Sequence, residues 1–177
     1  FNDELALKVG ELMGEDALHA GYTGLYAPGS NTHRSTYGAR NWEYHSEDGF
    51  LSGIISKYRV IGSQSKGCYV HLKHFAFNDQ ESFRHGVGVW ANEQAIREIY
   101  LQAYEYAATE GNASGFMSAF VRIGTHWTGA HKGLCTDIVR GEWGVKGFIV
   151  SDSAWQVYMG VIDGVMAEKQ AALKEDQ

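Results

Sequence analysis

Cysteine and proline are scarce in this chain of 177 residues, which contains two cysteines and one proline. Cys68 and Cys135 are too few for a disulfide scaffold, and they do not have the spacing of a metal-binding motif. His71 and His74 form an H-x-x-H pair, but on a strand residues three apart point to opposite faces, which disfavours a shared metal ion. We therefore expect neither a metal centre nor another cofactor.

Clusters of basic residues are missing as well. The chain has 15 Lys and Arg against 21 Asp and Glu, which gives a formal net charge of -6. A nucleic acid or an anionic membrane surface is bound by a patch of Lys and Arg, so neither is an expected partner. No apolar run is long enough to span a bilayer. The sequence shows no signal peptide, and the cellular compartment stays open.

Two apolar segments of the chain end in polar, ionisable residues. The segment CYVHLKHFAF is rich in β-branched and aromatic residues, yet it carries Lys73 and His74. The segment KGFIVSD ends in Asp152. Parallel α/β folds place their chemistry at the carboxyl ends of the strands, so these three residues are candidates for one shared site.

Each of these signals also has a purely structural explanation. Lys73 could extend its charged end to solvent, and His74 could bond to a backbone carbonyl. Asp152 could cap the helix that follows it, because an Asp side chain satisfies the free amide groups of a first turn. Taken singly, these residues do not distinguish a structural role from a catalytic one.

Five motifs, taken in order, favour the catalytic interpretation. The chain contains APGSNTHR, GARNWEYHSEDGFLSG, KHFAFNDQESFR, ANEQAIREIYL and RGEWGVKGFIVSD. This succession resembles the catalytic barrel of glycoside hydrolase family 3, the β-glucosidase type. The resemblance implies an α/β fold, a partial TIM-type (β/α)8 barrel of parallel strands. It also implies a retaining exo-β-glycosidase that acts on the non-reducing end of a β-glucoside or an oligosaccharide.

The same resemblance assigns roles to four residues. Asp152 would be the nucleophile, and Arg40, Lys73 and His74 would hold sugar hydroxyls. These residue types suit the chemistry, because a retaining glycosidase needs an ionised carboxylate to attack the anomeric carbon. Neighbouring cations favour that charged form. Arg and Lys donors and His nitrogens are the groups expected around a ligand with many hydroxyls.

Phe120 and Trp155 are the aromatic candidates for contact with the sugar ring. Both lie where the chain departs from the family pattern. Val121 follows Phe120 at a position where the family has Asn. Trp155 comes two places after Ser153, whereas the family has Trp directly after the nucleophile. The chain also lacks the Gly-His dipeptide of the N-acetylglucosaminidase branch, which favours the glucosidase side.

The resemblance also implies parts that this sequence does not contain. The family barrel begins with an upstream strand that carries a sugar-binding Asp, and its general acid/base is a Glu on a C-terminal α/β domain. We therefore interpret residues 1–177 as a single segment of the catalytic barrel domain, completed by another domain or chain. Two alternatives stay open: a catalytically silent sugar-binding or scaffold fragment completed by another chain, and β-xylosidase-type specificity.

The periodicity of apolar residues predicts four βα units. The strands are expected near residues 24–27, 68–75, 116–120 and 146–150. The helices are expected near residues 3–20, 47–58, 91–109, 130–140 and 157–174. In the first helix we expect an inner stripe against the sheet, made of Leu5, Val9, Leu12, Met13 and Ala17. Three motif glutamates are interpreted as ion-pair partners: Glu43 of Arg40, Glu81 of Arg84, and Glu142 of Arg140.

Overall fold

The computed structural model describes residues 2–153. Its helices are α1 (Asp3–His19), α2 (Gly49–Ser65), α3 (Glu93–Ala95) and α4 (Gln102–Thr109). A π-helical segment, Ile96–Leu101, joins α3 to α4, and a second one covers Gly133–Glu142 after a 3-10 turn at Thr128–Ala130. The strands are β1 (Gly24–Leu25), β2 (Tyr69–Phe75), β3 (Gly88–Val89), β4 (Gly115–Ser118), β5 (Arg122–Ile123), β6 (His126–Trp127) and β7 (Ile149–Val150).

Four strands form one parallel sheet in the order β1-β2-β4-β7. Every neighbouring pair in this sheet is parallel, and helical segments connect the strands along the chain. The fold class and the four predicted strands are thus confirmed, although the strands are shorter than expected. The helix predicted over 157–174 lies outside the described residues. A smaller three-stranded sheet, β3-β5-β6, joins the loops that follow β2 and β4.

Helices α1 and α2 pack closely through small residues. Gly10 and Gly14 of α1 are buried, and a Cβ placed at Gly10 would overlap with the backbone of Arg59 in α2. The predicted inner stripe of α1 is wrong for Leu5 and Leu12, which are 56% and 59% exposed, whereas Ala17 is buried as predicted. The close approach of the two backbones requires glycine at the contact, so Leu5 and Leu12 are turned outward.

We expect Gly10→Ala to lower the free energy of unfolding by about 1–3 kcal/mol, because the added methyl group forces the helices apart. Gly141→Ala is the matched control, since a Cβ there meets its nearest atom, the carbonyl oxygen of Thr136, at an ordinary 3.6 Å. Urea denaturation of both variants measures the difference. Equal stability of the two variants would contradict the packing described for α1 and α2.

The main core lies between the sheet and its helices, and aromatic rings dominate it. Phe75 of β2 contacts the rings of Phe116 and Tyr104 with centroid distances of 4.8 Å and 5.3 Å. Trp143 stacks on Phe116 at 6.1 Å. These rings fix the position of β2 relative to β4, and β2 carries two of the predicted site residues.

None of the helices within residues 2–153 combines the length and the apolar character that crossing a membrane requires.

Candidate active site

His74 lies at the carboxyl end of β2, and its backbone is bonded to two neighbouring elements. The His74 amide donates to Asn31 Oδ1 at 2.8 Å, and Asn31 Nδ2 donates back to the His74 carbonyl at 3.1 Å. The Tyr104 hydroxyl also donates to this carbonyl, at 2.9 Å. Asn31 comes from the loop after β1 and Tyr104 from α4. The three bonds therefore fix the end of β2 between the loop after β1 and helix α4.

Lys73 and His74 are adjacent in β2, and both side chains nevertheless reach one cluster. The pairing of β2 with β4 is irregular between Leu72 and Phe75. Such irregularities redirect side chains at strand ends. Lys73 Nζ lies 2.9 Å from Glu43 Oε1, and His74 Nε2 lies 3.0 Å from Arg40 Nη1. The structure thus brings Arg40, Lys73 and His74 together.

Glu43 joins the two predicted sugar-binding cations. Arg40 Nε donates to Glu43 Oε2 at 2.7 Å, and Lys73 pairs with the other oxygen of the same carboxylate. Burial opposes the charge on this carboxylate, yet Lys73 and Arg40 hold the pKa of Glu43 below its ordinary value. The predicted pairing of Glu43 with Arg40 is confirmed. Its second bond, to Lys73, was not expected from the sequence.

His74 is a neutral ring within a group of cations. Burial is the main cause that lowers its pKa to about 2, and the charges of Arg40, Lys73 and Arg84 act in the same direction. Its Nδ1 atom lies 3.0 Å from the Tyr44 hydroxyl. His74 therefore takes part in the site through hydrogen bonds and without a charge of its own.

Asp152 lies two residues after β7, and its carboxylate faces His74. The distance from Asp152 Oδ2 to His74 Nε2 is 3.7 Å, and the Asp152 side chain is 17% exposed. Its other oxygen accepts a bond from the Ser153 amide at 2.7 Å. Because His74 is neutral and the distance exceeds that of a hydrogen bond, the contact is neither an ion pair nor a hydrogen bond. The same His74 nitrogen contacts Arg40, so the carboxylate and the guanidinium both lie close to one atom.

The two aromatic candidates are placed differently. Phe120 is 5% exposed, and the Arg84 guanidinium lies over its ring at 4.7 Å. Any contact of Phe120 with a sugar therefore stays a prediction. Trp155 lies outside the described residues, and its role also stays a prediction.

The other two motif glutamates have different outcomes. Glu81 pairs with Arg84 at 2.6 Å, as predicted, and its other oxygen lies 3.7 Å from Arg40. The prediction for Glu142 is wrong. Its carboxylate binds Arg97 through two bonds of 2.7 Å and 2.9 Å. Arg140 Nη1 donates to backbone carbonyls, including that of Val145 at 2.8 Å, because the chain turns back on the end of the π-helical segment.

Three residues of the cluster had no predicted role in the site: Tyr44, Asn78 and Arg84. Asn78 Nδ2 donates to the Tyr44 hydroxyl at 3.0 Å and to Glu81 Oε1 at 2.7 Å. All three lie inside motifs that carry other site residues, next to Glu43 or within KHFAFNDQESFR. Membership of these motifs was the only signal that the sequence offered.

Asp79 lies beside this cluster and stabilises the loop after β1. Its Oδ1 atom accepts bonds from the Thr32 amide at 3.0 Å and the Thr32 hydroxyl at 2.8 Å. Burial raises the pKa of Asp79 to about 6, against the effect of these bonds and of Arg34.

Within residues 2–153 no three His, Cys, Asp or Glu side chains are grouped so that they could hold a metal ion.

Comparison with known proteins identifies the family. The profile of the glycosyl hydrolase family 3 N terminal domain matches residues 1–174. A protein of Aspergillus flavus described as "Probable beta-glucosidase I" is 39% identical over 153 residues, which are 86% of this chain and 18% of that protein. The exo-alpha-(1->6)-L-arabinopyranosidase of Bifidobacterium breve is 39% identical over 152 residues, 86% of this chain and 20% of that protein.

Solved structures agree with these relatives. Beta-glucosidase 3B from Thermotoga neapolitana, in complex with glucose, has a TM-score of 0.83 and 39% sequence identity, covering 85% of this chain and 21% of that chain. The chain thus spans about a fifth of the length of the relatives it matches.

Fold and comparisons together define the class of this chain, which is similar in sequence and structure to part of proteins named as β-glucosidases. The chain belongs to glycosyl hydrolase family 3, and the match lies in the N-terminal domain of that family.

Proposed function

We propose that this chain forms part of the catalytic barrel of a retaining exo-β-glycosidase that removes glucose from the non-reducing end of β-glucosides. The observation that carries the proposal is the position of Asp152 at the end of β7, 3.7 Å from His74 and next to the Arg40, Lys73 and Glu43 cluster. A carboxylate beside fixed cationic donors, at the carboxyl ends of parallel strands, suits an attack on a sugar held by its hydroxyls.

The proposed reaction is a double displacement. Asp152 attacks the anomeric carbon and forms a glycosyl ester while a carboxylic acid protonates the departing oxygen; water then hydrolyses the ester. Arg40 and Lys73 donate to sugar hydroxyls, and His74 helps to orient the sugar beside them. The transition state carries oxocarbenium-like positive charge at the anomeric centre, which the Asp152 carboxylate stabilises.

We further propose that residues 1–177 are one segment of the barrel domain. The acid/base Glu and the remaining strands then come from polypeptide outside this segment, which is consistent with relatives about five times longer. The four parallel strands are half of the number that closes a (β/α)8 barrel. We propose that this chain is part of a longer protein, which we call the intact enzyme.

Incubation of the intact enzyme with an activated 2-deoxy-2-fluoroglucoside tests the nucleophile. The fluorine slows hydrolysis of the glycosyl ester, so we expect a stable adduct on the peptide that contains Asp152, identified by mass spectrometry. An adduct on any other peptide would refute the assignment.

Adduct formation and release of a chromogenic leaving group together distinguish a glycosidase from a catalytically silent sugar-binding or scaffold protein. A sugar-binding or scaffold protein would bind a glucoside without forming the adduct and without releasing a chromogenic leaving group. We expect residues 1–177 alone to release little or none of that leaving group, because the acid/base Glu lies outside them in this proposal.

A pentopyranoside is the second candidate substrate class. The relative from Bifidobacterium breve is named for its action on an arabinopyranoside, a sugar without the hydroxymethyl group that glucose carries. A panel of 4-nitrophenyl β-glucoside, β-xyloside and α-L-arabinopyranoside distinguishes the candidates by kcat/KM. We expect the glucoside to be the best of the three.

A further inference from the structure

Protein groups contact both nitrogens of the His74 ring. Nε2 lies 3.0 Å from Arg40 Nη1, and Nδ1 lies 3.0 Å from the Tyr44 hydroxyl. His74 and Tyr44 are both buried, at 3% and 6% exposure. Solvent therefore contributes little to the choice of which nitrogen carries the proton.

Arg40 decides that choice. A guanidinium group is always protonated in proteins and has donors but no acceptor, so Nε2 must present its lone pair to Arg40. A neutral imidazole has one N–H, which is then on Nδ1 and points to the Tyr44 oxygen. The opposite tautomer would set two donors against each other across 3.0 Å.

The Tyr44 oxygen is itself prepared to accept this bond. Asn78 Nδ2 donates to it at 3.0 Å, and the second hydrogen of the same amide is directed at Glu81 Oε1 at 2.7 Å. Burial raises the pKa of the Tyr44 phenol, so the hydroxyl stays neutral. Asn78 and Glu81 thereby hold the Tyr44 oxygen in place as the partner of His74.

We propose that Tyr44 is a positioning residue that accepts the Nδ1–H of His74 and thereby fixes the ring orientation of this tautomer, with the Nε2 lone pair directed at Arg40. An Nε2 atom without a proton cannot donate to Asp152, whose Oδ2 lies 3.7 Å away. The carboxylate then keeps its lone pairs for the attack on the anomeric carbon. The bond that Nε2 accepts from Arg40 orients that guanidinium toward the proposed sugar site. The tautomer stands on geometry alone, whereas its catalytic consequence rests on the proposed function.

Neutron diffraction from deuterated crystals of the intact enzyme tests the tautomer directly. We expect nuclear density for deuterium on Nδ1 of His74 and none on Nε2. Deuterium on Nε2 would overturn the proposal. This measurement needs only the wild-type protein, so it decides the question even where a variant does not fold.

Tyr44→Phe tests the positioning role, because it removes the oxygen and keeps the ring. Arg40 still opposes a proton on Nε2, so we expect the His74 ring, whose Nδ1–H has lost its acceptor, to rotate out of contact with Arg40 in part of the molecules. We also expect a fall in kcat/KM of about tenfold, the equivalent of one lost hydrogen bond. An unchanged orientation of the His74 ring would refute the positioning role of Tyr44.

Tyr104→Phe is the matched control. It also removes a buried hydroxyl that contacts His74, but that hydroxyl donates to the backbone carbonyl at 2.9 Å and not to the ring. We expect this variant to keep the wild-type ring orientation and tautomer, whatever its stability; a rotated ring would contradict the specific role of Tyr44. Inactivity of the wild-type enzyme on all glycosides would refute the proposed function and leave the tautomer result intact.

Discussion

Replacement of Asp152 by Asn is expected to lower kcat/KM for 4-nitrophenyl β-glucoside by at least about 10³-fold in the intact enzyme. Asn has nearly the same shape as Asp, but it lacks the anionic oxygen that forms the glycosyl ester. The change removes a bond that exists only along the reaction path, so we expect the loss mainly in kcat. Steady-state kinetics with the chromogenic glucoside measures it.

Asp137→Asn is the control for this substitution. Asp137 is exposed, and it pairs with Lys132 at 2.6 Å on the π-helical segment Gly133–Glu142. We expect its variant to retain wild-type kcat/KM, because the pair lies on the protein surface and contributes little. Near-wild-type turnover by Asp152→Asn, with circular dichroism showing a folded protein in both variants, would remove Asp152 from the mechanism.

The second large effect is expected for Glu43→Gln. The Glu43 carboxylate is 14% exposed and binds both Arg40 and Lys73. Loss of its charge leaves two cations close together with no shared anion, which we expect to lower the free energy of unfolding by about 2 kcal/mol. We also expect a higher KM for the glucoside, because both cations are proposed to hold sugar hydroxyls. Urea denaturation and steady-state kinetics measure the two changes.

Glu142→Gln provides the comparison. Glu142 also binds an arginine, Arg97, through two hydrogen bonds, but the two side chains are 47% and 40% exposed. A solvent-exposed pair contributes about 0.2–1 kcal/mol, so we expect a smaller loss of stability and an unchanged KM. Equal losses in the two variants would show that the Glu43 cluster gains nothing from its burial.

The parallel strands were predictable because their signals are local. Apolar runs bounded by turns marked β2 and β7, and the position of Asp152 and His74 at strand ends followed from the general geometry of parallel sheets. The motifs supplied the rest of the catalytic prediction. The proposed roles remain predictions, although the structure does bring Asp152, His74, Arg40 and Lys73 close together.

Contacts between distant segments were harder to predict. The partner of Glu142 is Arg97, 45 residues away, and the sequence suggested Arg140 only because it is a neighbour in the chain. The inner face of α1 was predicted from its large apolar residues. The buried residues of α1 are small ones, Ala6, Gly10, Gly14 and the predicted Ala17, because helix α2 approaches too closely for larger side chains.

The sequence alone determined which residue types stand at the ends of the strands, since apolar periodicity and ordered motifs are properties of the chain itself. Tertiary structure decided how those residues are paired and protonated. The pairing of Glu43 with Lys73 and the two contacts of the His74 ring join separate loops and strands. Hydrogen-bond partners and burial depend on distances in space, and these exist only after the loops after β1 and β2 have packed together.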